Sequence, residues 1–101
     1  MQQMLTPSTF RRNAQIYQAM ANATRLHILN YIRNREATVT ELTKILGIKK
    51  ANVSQHLSIL RNLRLVTTRR DGLNVYYQIA DPRIVDPCRI LHNLWKGKAL
   101  A

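Results

Sequence analysis

Acidic residues are scarce in this chain. Five Asp and Glu stand against sixteen Lys and Arg in 101 residues, a formal net charge of +11. Such an excess repels itself in the folded state and points to a polyanionic partner, nucleic acid above all. Cysteine occurs once, as Cys88, which excludes an intramolecular disulfide and fits a reducing cytoplasm. No stretch approaches the roughly 18 apolar residues of a membrane span, and MQQMLTPSTF carries no apolar leader. Three glycines and three prolines leave neither a low-complexity linker nor a glycine-rich phosphate loop. Five scattered carboxylates and three isolated histidines offer no nucleophile with its base and no metal triad, so enzymatic activity is not expected. With only 6% aromatic residues, a core must be built on Leu, Ile and Val. The length suits one domain over residues 1–101, soluble and cytoplasmic.

What is present is unevenly placed. From Lys44 to Arg70 there are seven basic residues (Lys44, Lys49, Lys50, Arg61, Arg64, Arg69 and Arg70) and no acid. The same stretch carries the punctuation of two short helices. Thr38 followed by Glu41 forms a capping box, in which each side chain satisfies a backbone N–H of the other residue. Leu42, Ile45 and Leu46 give an apolar face, and Gly47 supplies a left-handed stop. A second helical pattern then runs through Val53, Leu57, Leu60 and Arg64, losing its core contact near Leu63. Lys50, Ala51, Ser54, Gln55, Ser58 and Asn62 face the other way. That face is small, polar and free of carboxylate, as a surface meeting phosphates and base edges would be.

Two helices joined by a short glycine-containing turn make a helix-turn-helix, here over about 38–63. Val66 to Arg70 and Leu73 to Ile79 are β-branched and aromatic runs separated by Asp71-Gly72. Asp-Gly between such runs predicts a two-residue hairpin turn with both positions at positive φ. A basic hairpin over about 66–79, following a helix-turn-helix, is a wing. The predicted fold is mainly α with a small β-hairpin: four helices, two strands and a last helix, forming a winged helix-turn-helix.

Several stretches also carry a family likeness. Asn22 to Leu29 (NATRLHIL), Val53-Ser54-Gln55-His56-Leu57 with Leu60-Arg61, and Leu65-Val66 with Arg69-Arg70-Asp71-Gly72 and Val75-Tyr76-Tyr77 resemble the ArsR/SmtB family of bacterial winged-helix repressors. The likeness runs from about Phe10 to Trp95 in the family's order and spacing. It implies a homodimer that binds operator DNA and leaves it when an inducer arrives.

The chain ends are read in that light. Met1 to Pro7 is expected to be a loose arm, with Ser8 or Thr9 capping a first helix over about 9–21. Phe10, Ala14, Tyr17 and Ala21, widened by Ile16 and Met20, form a stripe that intrachain core or a second subunit would cover. Asn22 caps a second helix to about Arg33, with Leu26, Leu29 and Ile32 inward and His27 at the surface. Asp81-Pro82 and Asp86-Pro87 each read as cap and first helical residue. They predict a short turn over 82–85 and a last helix over about 87–96, with Ile90, Leu91, Leu94 and Trp95 on its apolar side. The resemblance implies that the first and last helices pair in a dimer.

The resemblance also allows a check for sensors. Members that sense soft metals carry Cys-x-Cys where this chain has Thr38 and Thr40, hydroxyls that bind such metals poorly. Members that sense zinc, cobalt or nickel use positions that here hold Asp81, Arg83, Leu94 and Gly97. Members with a cysteine pair use positions that look like Asn30 and Lys96. Cys88 and His92, four apart on one helical face, are read as ordinary packing; the alternative is half a metal site or a thiol switch at Cys88. No metal site and no cofactor is expected, and the sequence names no inducer.

The DNA reading is specific. Lys50, Ser54 and Gln55 are expected to face base edges, while Lys49, Ser58, Arg61, Arg69 and Arg70 meet phosphate or, at the wing, the minor groove. Lys49 and Lys50 stand where the family usually caps this helix with serine, which forgoes about 1 kcal/mol. A phosphate seated at the helix N-terminus would offset that loss. A non-specific architectural DNA- or RNA-binding protein is the alternative, and Gln55, able to bond adenine bidentately, favours the sequence-specific reading.

Overall fold

The computed structural model describes residues 4–98. Along the chain run α1 (Pro7–Met20), α2 (Ala23–Tyr31), α3 (Val39–Leu46), α4 (Lys50–Asn62), β1 (Val66–Asp71), β2 (Asn74–Ile79), a 3-10 turn (Pro82–Val85) and α5 (Asp86–Lys96). The two strands form an antiparallel hairpin in register from Val66–Ile79 to Asp71–Asn74. Ala37, just before α3, adds a further bridge to Tyr77, with N–H to carbonyl distances of 3.1 and 2.8 Å. The wing is thereby sewn to the α2–α3 connection.

The core lies where α2, α3, α4 and the base of the wing meet. Ile28, Leu29, Ile32, Ala37, Leu42, Val53, Leu57, Leu60, Leu65, Val66 and Val85 form one buried cluster. The apolar spacing of α4 therefore does what was expected of it, with Val53, Leu57 and Leu60 all inward. The α3 capping box is complete: Thr38 accepts the Glu41 N–H at 3.1 Å, and Glu41 accepts the Thr38 N–H at 3.4 Å. Gly47 closes that helix at φ 66°. In α2 the inward set is wider than expected. Ile28 is fully buried, whereas Leu26 is half-buried and lines a cleft towards α1 and α5.

Three boundaries differ from the sequence expectation, each for a local reason. Helix α1 starts two residues early, because Pro7 suits the first helical position and Thr6, not Ser8 or Thr9, accepts the Thr9 N–H at 3.3 Å. Of the expected arm, Met4 and Leu5 are exposed and precede the helix, while residues 1–3 lie outside the described residues. Asp86 does not cap α5. The 3-10 turn runs directly into the helix, leaving no gap for a cap, and the Asp86 carboxylate instead takes the Arg33 guanidinium at 3.4 Å. Pro87 sits in the first turn of α5, where its missing N–H breaks no helical bond.

The hairpin turn is Gly72-Leu73 rather than Asp71-Gly72, since Asp71 pairs with Asn74. Only Gly72 has positive φ, at 62°, the arrangement that needs glycine at the first central position alone. Leu73 stands 99% exposed at the tip.

Arg64 does not continue α4. It adopts φ 61° just after the helix. The Leu65 N–H bonds the Leu60 carbonyl and the Arg64 N–H bonds the Arg61 carbonyl, both at 2.9 Å. This is the Schellman closure, with buried Leu65 against Leu60 as its apolar contact. Glycine is the usual occupant of the left-handed position, and an L-residue there costs about 1–2 kcal/mol.

Candidate nucleic-acid interface

Helix α4 stands between the core and solvent, and its two faces divide cleanly. Lys50, Ala51, Ser54, Gln55, Ser58, Arg61 and Asn62 are all exposed, opposite the buried Val53, Leu57 and Leu60. Lys49 is the N-cap and makes no side-chain capping bond. The first N–H groups of α4 are therefore left without a side-chain acceptor, beside two lysines.

The five carboxylates do little to neutralise this surface. Asp81 pairs with Arg83, Asp86 with Arg33 and Glu36 with Arg69. Glu41 is used in the α3 cap and Asp71 lies at the wing tip. Of the seven basic residues between Lys44 and Arg70, only Arg69 has an ion-pair partner among the described residues.

Arg69 is held firmly. Its Nε donates to Glu36 Oε2 at 3.1 Å and its terminal nitrogen to Oε1, while Gln78 donates to Oε2 at 2.7 Å. The guanidinium also lies 4.7 Å over the Tyr76 ring. The Arg69 and Gln78 donors hold the Glu36 carboxyl below its usual pKa, and the Glu36 carboxylate in turn raises that of Arg69. Arg70, by contrast, is exposed and has no ion-pair partner among the described residues. Sequence spacing singled out both arginines. It missed Glu36, whose link to Arg69 spans 33 positions and has no local signature.

A second contact invisible in the sequence ties α4 to α1 and α2. Arg25 donates from Nε to the Ala19 carbonyl and from a terminal nitrogen to His56 Nδ1 at 3.3 Å. Arginine has no acceptor, so Nδ1 must be the unprotonated nitrogen. Burial first, and then the Arg25 charge, hold His56 below its usual pKa, so the ring is neutral at pH 7. The end of α1, the start of α2 and the middle of α4 are thus tied together.

Away from α4, helices α1 and α5 leave large apolar side chains exposed. Phe10, Tyr17, Ile90, Leu91, Leu94 and Trp95 are between 39% and 63% exposed. No residue of α5 is buried. With α2 and the 3-10 turn, α1 and α5 bound a cleft of about 760 Å³ lined by Ile16, Tyr17, Met20, Leu91 and Trp95 among others. Cys88 and His92 also line it. The Cys88 sulfur lies 3.8 Å from the Asn30 amide nitrogen, and His92 packs edge-on against Trp95 at 4.8 Å. Among the described residues no three His, Cys, Asp or Glu side chains gather as a metal site. Asp81 is occupied by Arg83, which donates to its two oxygens at 2.8 Å (backbone) and 2.7 Å (side chain) and holds its pKa at about 2. No helix among the described residues is long and apolar enough to cross a membrane.

A capped helix, a left-handed glycine turn, a second helix with a solvent-facing polar side, and a basic hairpin bridged back to the first define a winged helix-turn-helix protein. The model of the ArsR family of bacterial regulatory proteins matches residues 22–68. The regulator KmtR of Mycobacterium tuberculosis is 39% identical over 70 residues, covering 69% of this chain and 54% of that protein. The solved structure of HlyU from Vibrio cholerae superimposes with a TM-score of 0.78 at 31% identity, covering 89% of this chain and 98% of that one. A homodimeric winged helix-turn-helix DNA-binding domain from Mycobacterium bovis, described as a possible ArsR-family regulator, gives 0.79 at 26% identity, covering 92% and 89%. The chain belongs to the ArsR family. It spans about half the length of the first of these curated relatives.

Proposed function

We propose that this chain is a sequence-specific transcriptional regulator, a homodimer that represses by occupying an inverted-repeat operator. The observation that carries the reading is the exposed, carboxylate-free face of α4. Its polar residues point away from a core that α4 itself helps to build. Lys50, Ser54 and Gln55 read base edges; Lys49, Ser58 and Arg61 hold phosphates; Arg70, and Arg69 in its Glu36 cradle, meet the backbone or minor groove at the wing. The second subunit covers the apolar surface of α1 and α5, as a two-fold operator requires. The M. bovis relative, named as a homodimer, supports that assembly. The wing and α4 carry the DNA contacts, and the pairing helices set the distance between the two copies.

The test is a footprint over the DNA flanking the protein's own gene, with excess unrelated duplex at physiological salt. The expected result is two protected half-sites centred about one helical turn, roughly 34 Å, apart. Protection that spreads evenly and is removed by the competitor would instead favour the architectural reading.

A further inference from the structure

The C-terminal end of α4 gathers more positive charge than its helix can use. Arg61 lies in the last turn. Arg64 follows in the left-handed position of the Schellman closure. From α1, Arg12 reaches across and donates to the Leu63 carbonyl at 3.3 Å. All three side chains are exposed, and none has an ion-pair partner among the described residues. A cation near a helix C-terminus is ordinarily favourable, because the terminal carbonyls carry partial negative charge. Here Arg12 already serves one of those carbonyls. Arg64 adds like charge beside it in a backbone conformation that glycine or asparagine would adopt with less strain. Neither packing nor capping accounts for arginine at this place. Local strain at an exposed residue is an indication of function when the fold itself has no use for the side chain.

Position supplies the use. Helix α4 has 13 residues and is therefore about 20 Å long, whereas the major groove is about 12 Å wide. With its N-terminal half in the groove, its other end overhangs the sugar–phosphate backbone at the groove's edge. We propose that Arg12, Arg61 and Arg64 form a phosphate clamp for the duplex backbone bordering the groove that α4 reads, with Arg64 held in a strained conformation for that contact. This inference rests on the DNA-binding reading above. It adds a residue of α1 and a post-helix residue to a surface otherwise made of α4 and the wing.

The test compares Arg64→Gly, Arg64→Asn and Arg64→Lys with the unmodified protein, by thermal melting and by binding to operator and unrelated duplex across a salt series. Arg64→Gly should melt about 2–4 °C higher, the strain being relieved. Both Arg64→Gly and Arg64→Asn should nevertheless bind both duplexes about tenfold more weakly at low salt, with the salt slope reduced by about one unit. Arg64→Lys should keep the slope. If Arg64→Gly binds both duplexes like the unmodified protein with an unchanged slope, or if Arg64→Lys loses as much as Arg64→Gly, the clamp is overturned. Failure of the unmodified protein to bind duplex at all would overturn the DNA-binding reading first and the clamp with it. The two failures are therefore distinguishable.

Discussion

Trp95→Glu should convert the proposed dimer to a monomer at micromolar concentration while the helix-turn-helix stays folded. Trp95 is 57% exposed in the single chain, and Leu91, Leu94 and Ile90 beside it are likewise uncovered. A fully buried Trp removes roughly 150–250 Å² from water, so covering the exposed part of Trp95 removes about half of that, at about 25 cal/mol per Å² of its apolar part. Replacing it by a carboxylate loses that contribution and places a charge in an apolar seam, where an unpaired ion is far more costly than a cavity. The central core does not depend on this face, since no α5 residue is buried in the chain itself. Far-UV circular dichroism should therefore change little, while sedimentation shows the mass halved. Operator affinity should fall by about 10²–10⁴, because the second half-site is no longer bound intramolecularly. A Trp95→Glu protein that remains dimeric would exclude α5 from the interface.

The second large effect concerns Gln55. It is exposed near the middle of α4's polar face, one turn beyond Ala51 and next to Ser54. Its amide offers both a donor and an acceptor, the pair that an adenine edge matches in the major groove. Gln55→Ala should weaken operator binding by about 1–3 kcal/mol and leave binding to random duplex nearly unchanged, so the specificity ratio falls. The salt slope should stay constant, because no phosphate contact is removed. Equal loss on both DNAs would mean that Gln55 supports the backbone contacts rather than reading bases. Gln55→Ala thus changes specificity at constant slope, whereas Arg64→Gly changes slope at constant specificity.

How much of this was legible in the sequence depends on whether the cause is local. The α3 capping box, the Gly47 stop and the inward stripe Val53-Leu57-Leu60 are set by residues whose successive spacings are four positions or fewer, and the structure has each of them. The missing side-chain cap at Lys49 could be read in the same way. The hairpin was legible, but its turn was displaced by one residue, because the Asp71–Asn74 pair extends the ladder and leaves positive φ to Gly72 alone. The helix termini at Thr6 and Asp86 depend on whether the chain breaks before the helix, which a cap residue alone does not decide. What the sequence did not show are the ties between distant segments. Glu36 binds Arg69, Arg25 binds His56 and Arg12 reaches Leu63. These contacts span 31 to 51 positions, and no periodicity encodes them. Arg64 is the instructive case: the apolar spacing places the end of the helix near Leu63, where it falls, but carries no signal for the left-handed conformation that Arg64 adopts just after it.

The central claim is that two copies of α4 enter successive major grooves on one side of the duplex. Half-site spacing tests it most directly. Affinity should be measured for the footprinted operator and for the same sequence with about five base pairs, half a helical turn, inserted between its half-sites. The insertion turns one half-site to the opposite side of the DNA, so the dimer should bind about 10²-fold more weakly, retaining only single-site and non-specific contacts. Equal affinity for both duplexes would contradict the paired arrangement of α4 and leave only the charge of the surface to explain binding.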